Sequence, residues 1–151
     1  RLLEAGWATL PLLEIALQLG VSLPKTVLAD ADAQVRALGI RVGLADDCLE
    51  RYLAPAASPE EAVAALRRCG PEVQLDLLGD HRWEVRAASV RALAKISEPP
   101  LERVRALVGS DSLGQRVAAV SLLESWGDLV WLEEWLKANP ATVPSASGLG
   151  Q

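Results

Sequence analysis

The chain has no Phe or Met, one Tyr, one His and two Cys among its 151 residues. With so few sheet-favouring aromatics, extended β structure is poorly served, while an apolar half built mostly of Leu, Ala and Val suits close helix packing. The single histidine, His81, lacks the partners that acid–base or nucleophilic catalysis needs, and its place beside the helix-start candidate Asp80 marks it as a surface turn residue. Cys48 and Cys69 are too few for a disulfide framework and lack the clustered ligands of a zinc site. They read as two free, half-buried thiols, although both fall at one end of a helical hairpin, where a disulfide is geometrically open in an oxidising compartment. Glycine-rich phosphate loops and a Gly-x-Ser-x-Gly elbow are also missing. No enzyme is expected, and no cofactor or metal.

A long apolar run is lacking too. The most apolar region, residues 8–29, is interrupted by Pro11, Glu14, Gln18, Pro24 and Lys25, so no membrane span is expected. Net charge is −5 and the isoelectric point about 4.9, which disfavours phosphate backbones unless basic residues gather on one face. A cytoplasmic location is the expectation. The chain opens at Arg1 in the middle of an apolar pattern, and a segment of a longer protein is expected from that.

What the sequence does contain is internal repetition. In residues 80–96 the apolar and small positions Val85, Ala88, Ser89, Ala92, Leu93 and Ile96 follow helical period. Thirty residues later Arg116, Ala118 and Val120 match Arg86, Ala88 and Val90, and fifty residues earlier Arg36 and Arg41 match Arg86 and Arg91. A shorter helix precedes each of these, at 23–28, 71–78 and 100–108. A further hairpin, 46–52 with 58–69, completes the series, opened by Ser58-Pro59-Glu60-Glu61, in which Ser caps, Pro occupies the first helical position and Glu stands three residues after the cap. Four helix pairs are therefore expected, at 22–45, 46–69, 70–97 and 98–127, within one domain over 1–139. Residues 1–20 would end an earlier unit and 128–138 form a further helix. The segment 140–151 has linker composition and is expected to be a flexible tail.

The Asp-x5-Arg spacing of Asp30 with Arg36 and of Asp80 with Arg86, the small Ala pair and the apolar-Ala-Leu run after it resemble the HEAT-repeat family, in particular its short bacterial units, also seen in phycobilisome-lyase-like proteins. The resemblance covers about 100 residues. It implies a right-handed α–α superhelix, a solenoid of about four hairpins, and a ladder of Asp–Arg contacts between adjacent units through Asp30, Arg36, Asp80, Arg86 and Arg116. Unit two has neither the Asp nor the Arg, and Ser110 stands where Arg116 should find its Asp.

The fold that the resemblance implies is a binding scaffold and names no partner. Arg41, Arg67 and Arg91 occupy equivalent outward positions on the second helices, with Lys95 one turn beyond, but the stripe stops at Ser121 and Glu60 and Glu84 lie a turn or two away, so the reading is either a mixed, solvated face or a groove for an acidic protein segment. Trp131 and Trp135 crowd the last helix opposite Leu129, Leu132 and Leu136, an apolar arc too wide for one neighbour, and they read either as packed within the chain or against further sequence, or as the second candidate contact, with a partner or a second copy. The acids Asp30, Asp32, Asp46, Asp47, Asp80 and Asp111 fall near helix ends and read as caps. The expected function is a non-catalytic protein–protein interaction scaffold. The alternative is a nucleic-acid-binding or base-acting helical repeat with a basic concave face, which requires Arg41, Arg67, Arg91 and Lys95 to converge. A pocketed, chromophore-handling protein has no sequence feature in its favour.

Overall fold

The computed structural model describes residues 9–140, and the described part is all-helical. The expected tail lies outside the described residues from 141 onward, as do residues 1–8. The helices are α1 (Leu10–Gln18), α2 (Ala33–Arg41), α3 (Leu49–Leu53), α4 (Pro59–Leu66), α5 (Pro71–Asp76), α6 (Trp83–Leu93), α7 (Leu101–Leu107), α8 (Leu113–Ser125) and α9 (Leu129–Ala138). Where the sequence points to a helix over 23–28, the chain instead winds as a 3-10 segment, Lys25–Ala29. Between Pro24 and Asp30 there is room for little more than one turn, and the tighter winding satisfies Val27 N–H on the Pro24 carbonyl at 3.1 Å and Asp30 N–H on that of Val27 at 3.2 Å.

The starts of α2, α4, α6 and α8 share a register. Asp32 caps α2 by accepting from Gln34 N–H at 2.8 Å, and Ser112 caps α8 by accepting from Gln115 N–H at 3.3 Å. At α4 the Ser58 hydroxyl accepts from Glu61 N–H at 3.2 Å and donates to the Glu61 carboxylate at 2.8 Å. Arg82 holds the same place before α6, without a side-chain cap of its own; Asp80 Oδ1 accepts its N–H at 2.8 Å. The start of α4 thereby shares the register through Ser58, although the segment 46–69 carries neither motif residue. At the other end of α8, Gly127 takes φ +76°, and Asp128 N–H returns to Leu123 carbonyl at 2.9 Å, the wrapped ending that a residue with a Cβ resists.

The shared register decides the packing. Seven residues after each cap position stand Gly39, Ala65, Ser89 and Ala119, all small and all buried. These residues let backbones approach, and α2 packs on α4, α4 on α6 and α6 on α8 in succession. A Cβ at Gly39 would lie 3.0 Å from Val27 Cγ1, so the 3-10 segment rests directly on that backbone. The shorter helices lie beside their partners: α3 against α4, α5 against α6 and α7 against α8. The largest buried cluster joins Leu78, Leu93, Val104, Val108, Leu122 and Leu123 with Leu132 of α9. Each fully buried Leu or Val there contributes about 1.5–3 kcal/mol, so the α6–α9 end has the deepest core.

Candidate functional site

Arg36, Arg86 and Arg116 repeat one contact. The Arg36 Nη1 donates to the carbonyls of Asp30 and Ala31 at 2.6 and 3.0 Å, Arg86 Nη1 to those of Asp80 and His81 at 2.7 and 3.1 Å, and Arg116 Nη1 to that of Ser110 at 2.8 Å. The Asp–Arg ladder implied by the resemblance is corrected accordingly: each arginine grips the main chain six residues back, not the Asp carboxylate. The carboxylates are already engaged, Asp30 by Asp32 N–H at 2.8 Å and Asp80 by Arg82. Since a carbonyl is the acceptor, Ser110 serves Arg116 as Asp would.

Arg36 and Arg86, with Arg68, also reach neighbouring helices. Arg36 Nη2 pairs with Glu61 at 2.8 Å, and this guanidinium holds the buried Glu61 carboxyl below the ordinary carboxylate range against the opposing effect of burial. The Arg86 side chain lies over Gly114, where a Cβ would meet its Nε at 2.7 Å. Arg68 reaches Asp46 with two nitrogens and the Arg41 carbonyl at 3.1 Å.

Arg82 is the residue that sequence reasoning missed at this level. Its side chain is only 6% exposed, and it donates to the carbonyls of Leu53, Ala54 and Ala57 at 2.9–3.0 Å while pairing with both Asp80 oxygens. The guanidinium beside it holds the Asp80 carboxyl below its usual range. Its partners lie 25–29 residues upstream, so no local pattern announces it; the one available signal was an arginine at the position where the neighbouring units carry Asp or Ser.

Arg41, Arg67, Arg91 and Lys95 are all exposed, and none makes an ion pair among the described residues. They do not share one surface environment. Arg41 and Arg67 line a groove of about 180 Å³ between α2 and α4 whose wall also carries Glu14 and Glu60. Arg91 lines a separate groove of about 550 Å³ between α6 and α8, and Lys95 lines neither.

The α6–α8 groove holds what the sequence did not point to. Trp83, Leu113 and Val117 stand at its edge, 66%, 64% and 56% exposed, over Val90 and the buried Ala118. Its only charged lining residues are Arg86 and Arg91. Trp83 and Leu113 are the first helical residues of α6 and α8, where α2 and α4 have Ala33 and Pro59. A comparison of those four first positions was the signal that could have found them.

The tryptophans of α9 are half-buried and packed against the large cluster. Trp131 and Trp135 stack with centroids 6.5 Å apart, and the Arg105 guanidinium lies 5.3 Å from the Trp131 ring centre while bonding both Asp128 oxygens at 2.8 Å. The apolar side chains that α9 exposes are Leu129, Val130 and Leu136. Cys48 and Cys69 are free thiols, and burial pushes Cys69 above its ordinary pKa. His81 is largely exposed, 3.6 Å from Asp80. Among the described residues no three His, Cys, Asp or Glu side chains gather to hold a metal, and no helix is long and apolar enough to cross a membrane. No family model, curated protein or solved structure matches this chain.

Proposed function

We propose that the chain is a HEAT-like α-solenoid acting as a non-catalytic, cytoplasmic protein-binding scaffold, with α2, α4, α6 and α8 forming its binding face. The architecture is supported by the shared cap register at 32, 58, 82 and 112, the small residue seven positions on, and the arginine-to-carbonyl contact made three times. The observation that carries the function is the exposure of Trp83, Leu113 and Val117 side by side along one groove. Water-facing apolar side chains gathered in a concave surface mark macromolecular contacts more often than scattered ones do. The nucleic-acid reading loses its support where Arg41 and Arg67 share their groove with Glu14 and Glu60.

Site-directed photo-crosslinking in the cell that makes the protein tests the reading. A photoreactive residue in place of Arg67, Arg91 or Val117 is expected to give discrete protein adducts, whereas one in place of the exposed Glu72 or Arg103, on α5 and α7, is not. Adducts of equal yield at all five positions, or at none, would sink the scaffold reading.

A further inference from the structure

We propose that the α6–α8 groove captures a short peptide segment of a partner, one that presents a bulky apolar side chain close to a carboxylate. The inference rests on the scaffold reading and names the chemistry of its occupant. Three observations on different residues carry it. Trp83, Leu113 and Val117 leave more than half of their surface to water around a space of about 550 Å³, a volume that suits one or two large side chains. Two arginines and no acid line that space, in a chain whose net charge is −5. Among the described residues Arg91 is exposed and has no ion-pair or hydrogen-bond partner for its side chain, and the only side-chain hydrogen bonds of Arg86 run from Nη1 to two carbonyls.

The charge pattern selects the occupant. An apolar surface flanked only by cations attracts a segment of opposite sign and repels a basic one, and a guanidinium fork matches a carboxylate in two parallel hydrogen bonds. The apolar side chain of the segment would enter between Trp83 and Val117, removing their surface from water, while its carboxylate meets Arg91 at the rim. The neighbouring α2–α4 groove is smaller and already holds Glu14 and Glu60 beside its arginines, so the same segment is disfavoured there. A second copy of the chain also carries net negative charge, but a stable dimer needs a large buried area, whereas a short segment fits the groove.

Panning a random twelve-residue peptide library on the folded chain tests this, with the enriched peptides synthesised and titrated by fluorescence anisotropy. Enriched sequences are expected to place Asp or Glu within a turn of Leu, Ile, Phe or Trp. Val117→Asp is expected to weaken them by about tenfold or more, the scale of losing one central interface contact. Arg91→Glu is expected to do the same and, when panned itself, to shift enrichment toward Lys and Arg. Arg91 makes no ion pair or side-chain hydrogen bond among the described residues, so this exposed variant keeps the test valid if Val117→Asp fails to fold by circular dichroism.

Several results would overturn the proposal: no enrichment, enriched peptides without acids, or affinities that neither variant changes. An oligo-dT strand bound in place of peptides and released by Arg91→Glu would also do so, as would self-association in sedimentation that Val117→Asp abolishes. Peptide binding lost in Arg41→Glu with Arg67→Glu but kept in Val117→Asp removes the groove and leaves the scaffold. Uniform or absent photo-crosslinking removes the scaffold itself.

Discussion

Around Arg41 and Arg67 the groove wall supplies Glu14 and Glu60, while around Arg91 it supplies Trp83, Leu113 and Val117. The helices behind the two surfaces begin in the same register, with Asp32 and Ser58 capping one pair and Arg82 and Ser112 opening the other. Equivalent backbone positions therefore carry different chemistry. In the α2–α4 half the exposed cations face acids of their own chain, and in the α6–α8 half they flank uncovered apolar surface. What separates the halves is a handful of side chains near the helix starts, Ala33, Pro59 and Glu60 with Glu14 of α1 on one side and Trp83, Leu113 and Gly114 on the other, since one turn on Ala37 and Val63 match Ala87 and Val117.

The joint between the halves is where that comparison breaks most readily. Arg82 comes from the start of α6 and is bound to carbonyls at and beyond the end of α3, so Arg82→Met leaves three carbonyls without their donor and the Asp80 carboxylate without its guanidinium partner, with the backbone N–H of residue 82 still donating to it. A loss of about 3 kcal/mol or more is expected, read from the urea midpoint at pH 7. An unchanged midpoint would mean that the halves are not coupled through this side chain.

A smaller effect separates the halves by pH. Glu61 and Gln115 hold the same place three residues after the cap, and only Glu61 titrates. Its folded pKa is depressed below the ordinary 4.5, so its pairing with Arg36 stabilises fully above that value and is lost as pH falls through the lower folded one. Glu61→Gln is expected to cost about 1 kcal/mol at pH 7, and its stability should converge with that of the wild type as the pH is taken below 4.5. A constant difference across the titration would assign the effect to packing.

The smallest effect is expected on the acidic side of the comparison. Arg41→Ser with Arg67→Ser should change the affinity of groove-binding peptides by less than about twofold in anisotropy titrations, because solvated charges in a second groove act weakly at a distance. A larger change would join the two grooves into one extended surface.

The helix starts were legible because their signals are local. Ser58, Pro59 and Glu61 announce α4 within four residues, and Ser112 with Gln115 repeats the arrangement at α8. The spacing of Arg36, Arg86 and Arg116 was equally plain, yet their acceptors were not, since a sequence displays the Asp side chain and not the carbonyl behind it. The role of the α9 tryptophans was beyond helical period alone: the stripe shows that Trp131 and Trp135 are apolar, but Arg105 and the core residues that they touch come from elsewhere in the chain. Arg82 and the α6–α8 groove were hidden for the same reason, being built from residues about 25–35 positions apart whose meeting depends on how helices stack.

The backbone acceptor of those three arginines has a bearing on how such a chain drifts. A carbonyl is identical for every amino acid, so the residue at 30, 80 or 110 can be exchanged without disturbing the grip, provided that the local path of the chain is kept. Selection then acts on one side chain per contact in place of two. The sequence around each contact is thus free to vary while its geometry stays the same.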